Sequence, residues 1–285
     1  MNLLQVCTED GVRLTGMLHR PKREPRHTGI LPVHGTNSNF YSSVAGFIAP
    51  KLAELGYVAL AMNLRNHDHL FATSQFEDCI PDIRAGITRL KDAGCDQIVL
   101  IGHSLGCTEV VFYLAKTQDP RIAAVVLMGA HLDLRGDTWR FFKATDPDDP
   151  KGAYERMLNR CRDWVAEGKR DYLVVFPLGF PDPKLDVPIR WAAQSAASFL
   201  SYRSPESACN ASAWIGEVKI PILFAVHPIA NTGARPEFSE ELCRLAVSSP
   251  RAEVLLVPGA DHFYSGVEDA AVTMVAAWID EIGLS

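Results

Sequence analysis

Ser104 stands between two glycines in Gly102-His103-Ser104-Leu105-Gly106, directly after the apolar run QIVLIG and directly before the helical stretch SLGCTEVVFYLAK. A serine hydroxyl is a weak nucleophile until a base takes its proton and hydrogen-bond donors receive the negative charge that its attack creates. The pattern G-x-S-x-G is common by chance. Its setting here, a strand before and a helix after, is what the chemistry requires. The flanking glycines permit a sharp turn that lifts the hydroxyl above a sheet. The same turn puts the Leu105 N–H at a helix N-terminus, where it can stabilise an oxyanion. The competing role for Ser104 is a plain helix N-cap. A catalytic serine needs a base and an acid that this stretch does not contain.

The elements that would position such a serine follow a regular rhythm. Two short strands are expected at about residues 3–8 and 12–19, separated by the turn residues Glu9-Asp10-Gly11. GILPVHG (29–35) reads as a buried strand and VAGFIAPKLAELG (44–56) as a helix closed by Gly56. Strands at YVALAMNL, QIVLIG and IAAVVLMGA alternate with helices at DIRAGITRLKDAG and SLGCTEVVFYLAK. This alternation predicts an α/β fold with a mostly parallel central sheet and helices on both faces. The rhythm breaks at about residue 134 and returns with the strand IPILFAV (220–226), a helix around 237–247, the strand AEVLLV (252–257) and a final helix at 267–282. The intervening stretch has helical pieces, many aromatics and the proline-rich FPLGFPDPKLDVP. It is too long for a simple loop. We therefore expect a core of residues 1–133 and 217–285, with 134–216 forming a helical cap or lid over the carboxyl edge of the sheet, where ligands sit in open α/β sheets.

Composition narrows the class. With 285 residues and 47% hydrophobic content, a large core is feasible. A net charge of −6 and the lack of a basic block argue against a nucleic-acid partner. The longest apolar runs are too short to span a membrane. The stretch MNLLQVCTEDGVRL lacks the pattern of a signal peptide, so a cytoplasmic protein is expected. The seven cysteines are scattered singly and suggest neither a disulfide framework nor a metal site. Oligomeric state is not readable.

Four segments in register make the chain resemble the α/β-hydrolase superfamily over about residues 4–283. These are the elbow around Ser104, PVHGTN (32–37), MNLRNHDHL (62–70) and VPGADHFYSG (257–266). PVHGTN is similar to the family's His-Gly oxyanion loop, and MNLRNHDHL is similar to its D-x-R-G-H-G loop. The resemblance implies that His262 is the general base, and that Thr36 supplies the second oxyanion N–H beside that of Leu105. Asp261, adjacent to His262, reads as a loop-shaping residue because neighbouring side chains in an extended loop diverge. His34 and His103 read as structural groups at strand ends.

The family's usual acid is missing. Where an aspartate would follow the strand IPILFAV, HPIANTG (227–233) offers Ala230 or Asn231. Some relatives carry the acid after the preceding strand, which here brings in Asp133, the preferred candidate. Asp133 could otherwise cap a helix or pair with Arg135 or Arg140. Asn231 could orient the histidine without charge, as an amide does in papain-like triads. Asp137 and Glu237 are the remaining candidates.

The other constellations are weaker. His67, Asp68 and His69 are adjacent residues with no further ligands in a metal-binding spacing, so they read as a polar rim. No phosphate-binding glycine motif is present, and neither a metal nor an organic cofactor is expected. Trp139, Phe141, Phe142, Trp164, Tyr172, Phe176, Phe180, Trp191, Phe199 and Tyr202 crowd the cap. Most should pack it and a few should face the cleft, favouring a substrate with an apolar or aromatic part. The resulting expectation is a serine hydrolase, a carboxylesterase, acting on a small-molecule ester through an acyl-enzyme. The rivals are a binding protein or receptor of weak catalytic power, an acyltransferase, or a hydrolase of amides or C–C bonds.

Overall fold

The computed structural model describes residues 2–178, 190–228 and 235–284. Eight strands form the main sheet: β1 (Asn2–Cys7), β2 (Arg13–His19), β3 (Thr28–Val33), β4 (Val58–Met62), β5 (Gln97–His103), β6 (Ile122–Met128), β9 (Ile222–Val226) and β10 (Ala252–Leu256). A separate antiparallel pair, β7 (Leu173–Leu178) and β8 (Arg190–Ser195), lies in the inserted region. The main sheet runs β1-β2-β4-β3-β5-β6-β9-β10. β1 and β2 are antiparallel to their neighbours, and every pairing from β4 to β10 is parallel. The expected α/β architecture is therefore present.

Period-two alternation within apolar strands sorts their side chains onto two faces. Leu31, Leu100, Leu127 and Phe224 join one core layer, while Ile30, Val99, Val126 and Leu223 join the other. Helices α1 (Ser43–Glu54) and α9 (Glu268–Glu281) cover the second layer through Ile48, Leu52, Val275 and Trp278. Helices α2 (Cys79–Asp92) and α3 (Leu105–Thr117) cover the first through Ile83, Ile87, Val110 and Leu114. Among the described residues, no helix is long and apolar enough to cross a membrane.

The insertion begins with α4 (Leu134–Asp137) and continues through α5 (Pro150–Ala166), the β7–β8 pair and α6 (Ala196–Arg203). It has a core of its own, in which Phe141, Phe142, Tyr154, Phe176 and Phe199 meet Phe71 from the loop after β4. Two features depart from the helical block expected at 134–216. First, the β7–β8 pair is strand; Val174 and Phe176 are buried while Leu173 and Val175 are exposed. All four residues are apolar, so this alternation was invisible to a polarity pattern. Second, Tyr202, Cys209, the short helix α7 (Ala211–Trp214) and Ile215 pack with the main sheet's first layer, so the separately packed part ends near Leu200. Helix α8 (Pro236–Leu245) also joins that layer through Leu242. Phe180 and Asn231 lie outside the described residues.

The first turn of α3 is pressed against the end of β3. A Cβ on Gly106 would lie 2.2 Å from the Val33 carbonyl oxygen and 2.8 Å from that of His34. A Cβ on Gly102 would meet the residue-106 carbonyl at 2.6 Å. All these neighbours are backbone and cannot swing away. Gly106→Ala should therefore lower the unfolding free energy by about 3 kcal/mol or more. A urea midpoint equal to that of the wild type would show that the two elements are not in contact.

Candidate active site

Ser104 links β5 to α3 with φ 56° and ψ −118°, a conformation that a non-glycine residue adopts only under constraint. Its N–H donates to the Met128 carbonyl at 3.0 Å, and its hydroxyl makes no helix-capping hydrogen bond. The plain N-cap role is thereby removed. Leu105 opens α3, so its N–H has no acceptor one turn back within the helix. Opposite the serine, Gly35 comes so close that a Cβ there would lie 3.0 Å from Ser104 Cβ. Thr36 follows in a turn closed by the Ser38 N–H to Gly35 carbonyl bond of 3.1 Å.

His34 fastens that turn. Its Nε2 accepts the Leu64 N–H at 3.0 Å, so Nδ1 carries the proton and donates to the Gly35 carbonyl at 2.8 Å. Burial pushes its pKa down to about 4. His67 contacts the Ser38 carbonyl through Nδ1 at 2.6 Å, a second brace on the same turn. Behind the loop, Asn66 donates to the buried Glu109 carboxyl at 2.6 Å, and burial raises that carboxyl's pKa to about 8. Arg65 is enclosed by Asp82, Asp10 and Asp78.

His262 is buried in the loop after β10. Asp261 shapes that loop by accepting the Phe263 and Ser265 N–H groups, each at 2.9 Å. His103 holds it from the sheet side, with Nε2 2.9 Å from the His262 carbonyl. Burial, reinforced by His103, His131 and His227, pushes the His262 pKa well below its usual value. No hydrogen bond joins Ser104 to His262 among the described residues. Such contacts often tighten only when substrate is bound.

The preferred acid is elsewhere. Asp133 caps α4 by accepting the Arg135 and Gly136 N–H groups at 3.0 and 3.2 Å. Both its oxygens are also gripped by the Arg135 guanidinium, at 2.9 and 3.1 Å. The adjacent guanidinium and the helix N-terminus both attract the carboxylate and draw it away from His262. Asp137 pairs with Arg140 at 3.0 Å, and Glu237 is exposed on α8. The group that meets His262 Nδ1 is His227 Nε2, at 3.4 Å.

His227 and His131 were missed as site residues. The His131 ring lies 6.0 Å from that of His262. The available signal was positional: His34, His103, His131 and His227 stand at or just beyond the carboxyl ends of β3, β5, β6 and β9. Among the described residues, no group of three or more histidine, cysteine, aspartate or glutamate side chains could hold a metal ion.

Residues 33–277 match the sequence model of the alpha/beta hydrolase family. No curated protein matches the chain. Est1E from Butyrivibrio proteoclasticus superposes with a TM-score of 0.66 at 14% identity, covering 99% of each chain. An esterase domain from a Rhodothermus marinus protein gives 0.62 at 19% identity, also covering 99% of each chain. The Pyrococcus furiosus esterase Pf2001 gives 0.64 at 16% identity, covering 98% of this chain and 90% of its own. At these identities the likeness is one of fold.

The buried ionisable groups predict the pH dependence of stability. His34, His103 and His131 titrate near 4 when folded, against 6.5 unfolded. Between those values the unfolded chain binds more protons, so stability falls as pH drops, by up to roughly 3 kcal/mol per histidine. Glu109 acts in the opposite sense: its folded pKa of about 8, against 4.5 unfolded, makes stability fall as pH rises through that window. Three histidines outweigh one carboxyl below 6.5, so the melting temperature should peak near pH 6.5. Glu109→Gln should flatten the decline towards pH 8. Superimposable wild-type and variant melting curves across pH 6–8 would contradict this account of Glu109.

Proposed function

The chain belongs to the alpha/beta hydrolase family, and on that premise we propose that it is a serine hydrolase cleaving a carboxylic ester through an acyl-enzyme at Ser104. The observation that carries this reading is the positive-φ turn at Ser104, held against the Gly35 turn with its hydroxyl left uncommitted to the helix. Ser104 Oγ attacks the ester carbonyl carbon and its proton passes to His262 Nε2. The Thr36 and Leu105 N–H groups receive the oxyanion. The tetrahedral intermediate collapses, the proton moves to the departing alkoxide, and water repeats the sequence on the acyl-enzyme to release the acid.

For Nε2 to accept a proton, His262 Nδ1 must carry one, and His227 Nε2 is its acceptor. His227 thereby does the orienting half of a catalytic acid's work without supplying a negative charge. Replacing the carboxylate by an amide in one serine protease lowers turnover about ten-thousand-fold, so a slow enzyme is the expectation here. A cavity of about 420 Å³ beside the His262 loop is lined by Tyr41, Phe47 and Phe263 but equally by Ser42, Ser43, Ser265 and Glu268, so it carries no preference for an apolar substrate part. A second reading, a binding protein on the same fold, draws on one observation: no carboxylate contacts His262 among the described residues.

Intact-mass analysis after fluorophosphonate treatment separates the two. We expect a single adduct that disappears in Ser104→Ala, forms at least about ten-fold more slowly in His227→Gln, and is little changed in Asp133→Asn. A folded wild type that takes no label would favour the binding protein. The labelling rate should lose half its value at a pH below 6.5, because the base resists protonation. A midpoint above 6.5 would mean that an anion is paired with His262.

A further inference from the structure

Four arginines of the insertion have a carboxylate of their own among the described residues. Arg135 pairs with Asp133, Arg140 with Asp137, Arg156 with Asp146 and Asp149, and Arg162 with Glu206. Arg203, in the last turn of α6, has none among the described residues, although it is only 1% exposed. Its Nε and Nη2 have no hydrogen-bond partner among the described residues. Nη1 reaches Thr138 Oγ1 at 3.5 Å, and the guanidinium lies 5.6 Å from the centre of the Phe176 ring. The contrast with Arg65 is direct. That guanidinium is less buried, yet it is bonded to two carboxylates and faces a third.

An isolated buried ion carries a penalty of several kcal/mol, and a guanidinium does not escape it by losing its proton. The unpaired atoms are informative because Nε and Nη2 form one edge of the guanidinium. Arg135 uses that same edge to grip both oxygens of Asp133, at 2.9 and 3.1 Å. Arg203 holds the identical edge buried and without an acceptor among the described residues. Its charge also opposes protonation of His131, whose own Nδ1 is unpartnered among the described residues and whose ring lies 6.0 Å from that of His262.

We propose that the unpartnered edge of Arg203 binds a carboxylate of the substrate, so that the ester cleaved at Ser104 carries a free carboxylate at one end. The fork matches two coplanar oxygens, and a buried charge-assisted pair is stronger than its surface counterpart. The reaction assigned to this substrate rests on the hydrolase reading. The binding does not.

The test is therefore a binding measurement in the Ser104→Ala background, where turnover plays no part. The probes are 4-nitrophenyl monoesters of straight-chain dicarboxylic acids of increasing length, set against uncharged 4-nitrophenyl alkanoates of matched length. The readout is thermal stabilisation as a function of ligand concentration. We expect at least one monoester to stabilise at about ten-fold lower concentration than its uncharged match. Arg203→Met should abolish that difference, and Arg203→Lys, which keeps the charge but loses the fork, should retain part of it. Removing an unpaired buried charge should leave the ligand-free Met variant at least as stable as its parent. Equal stabilisation by charged and uncharged esters, or a preference that survives in Arg203→Met, would overturn the proposal. In active protein, the ratio of kcat/KM for the two ester types should fall in parallel. A protein that binds monoesters through Arg203 but takes no fluorophosphonate would disprove the hydrolase reading alone.

Discussion

The close contact between the first turn of α3 and the end of β3 sets the geometry on which the candidate site depends. Gly106 lies against the Val33 and His34 carbonyls with no room for a side chain. A helix held that tightly can start only where it does, so residue 104 must reverse the chain in a single step and takes up positive φ. The turn at Gly35 then comes to rest beside the serine, and His34 locks it with one hydrogen bond at each ring nitrogen. The Ser104 turn and the Gly35 turn are thus consequences of one backbone packing. Neither is positioned by a flexible side chain.

Desolvation governs the chemistry around that scaffold. His34, His103, His131 and His262 are all buried, and burial favours the neutral ring in each. Neutral imidazole can both donate and accept, which lets His103 anchor the His262 loop and lets His227 meet the ring of the base. A carboxylate at His227's place would stabilise the imidazolium more strongly, but burial there would oppose its ionisation.

Much of this was legible in the sequence, for identifiable reasons. Long apolar runs such as QIVLIG and IAAVVLMGA, punctuated by glycine, define buried parallel strands whose order and ends are strongly constrained. The elbow was readable because Gly102 and Gly106 are required by contacts within a few residues of the serine or with the adjacent strand. The site's polar partners were harder. Asp133 has the right residue type at a strand end, but its direction is decided by Arg135 two positions later and by the start of α4. His227 is not an acid, so a search for the missing carboxylate passes over it. Strand β7 was hidden because both its buried and its exposed positions are apolar.

Arg135 has a consequence beyond holding Asp133. Its Nη1 also donates to the carbonyls of Pro205 and Ser207, at 2.6 and 2.8 Å. One guanidinium therefore ties together the two ends of the inserted chain, closing it into a loop whose ends are fixed whatever lies between them. Closure entropy rises only with the logarithm of loop length. Segments between the clasped ends can lengthen, shorten or be exchanged in evolution at small thermodynamic cost, while the sheet below keeps its geometry. The clasp makes the inserted segment a replaceable module.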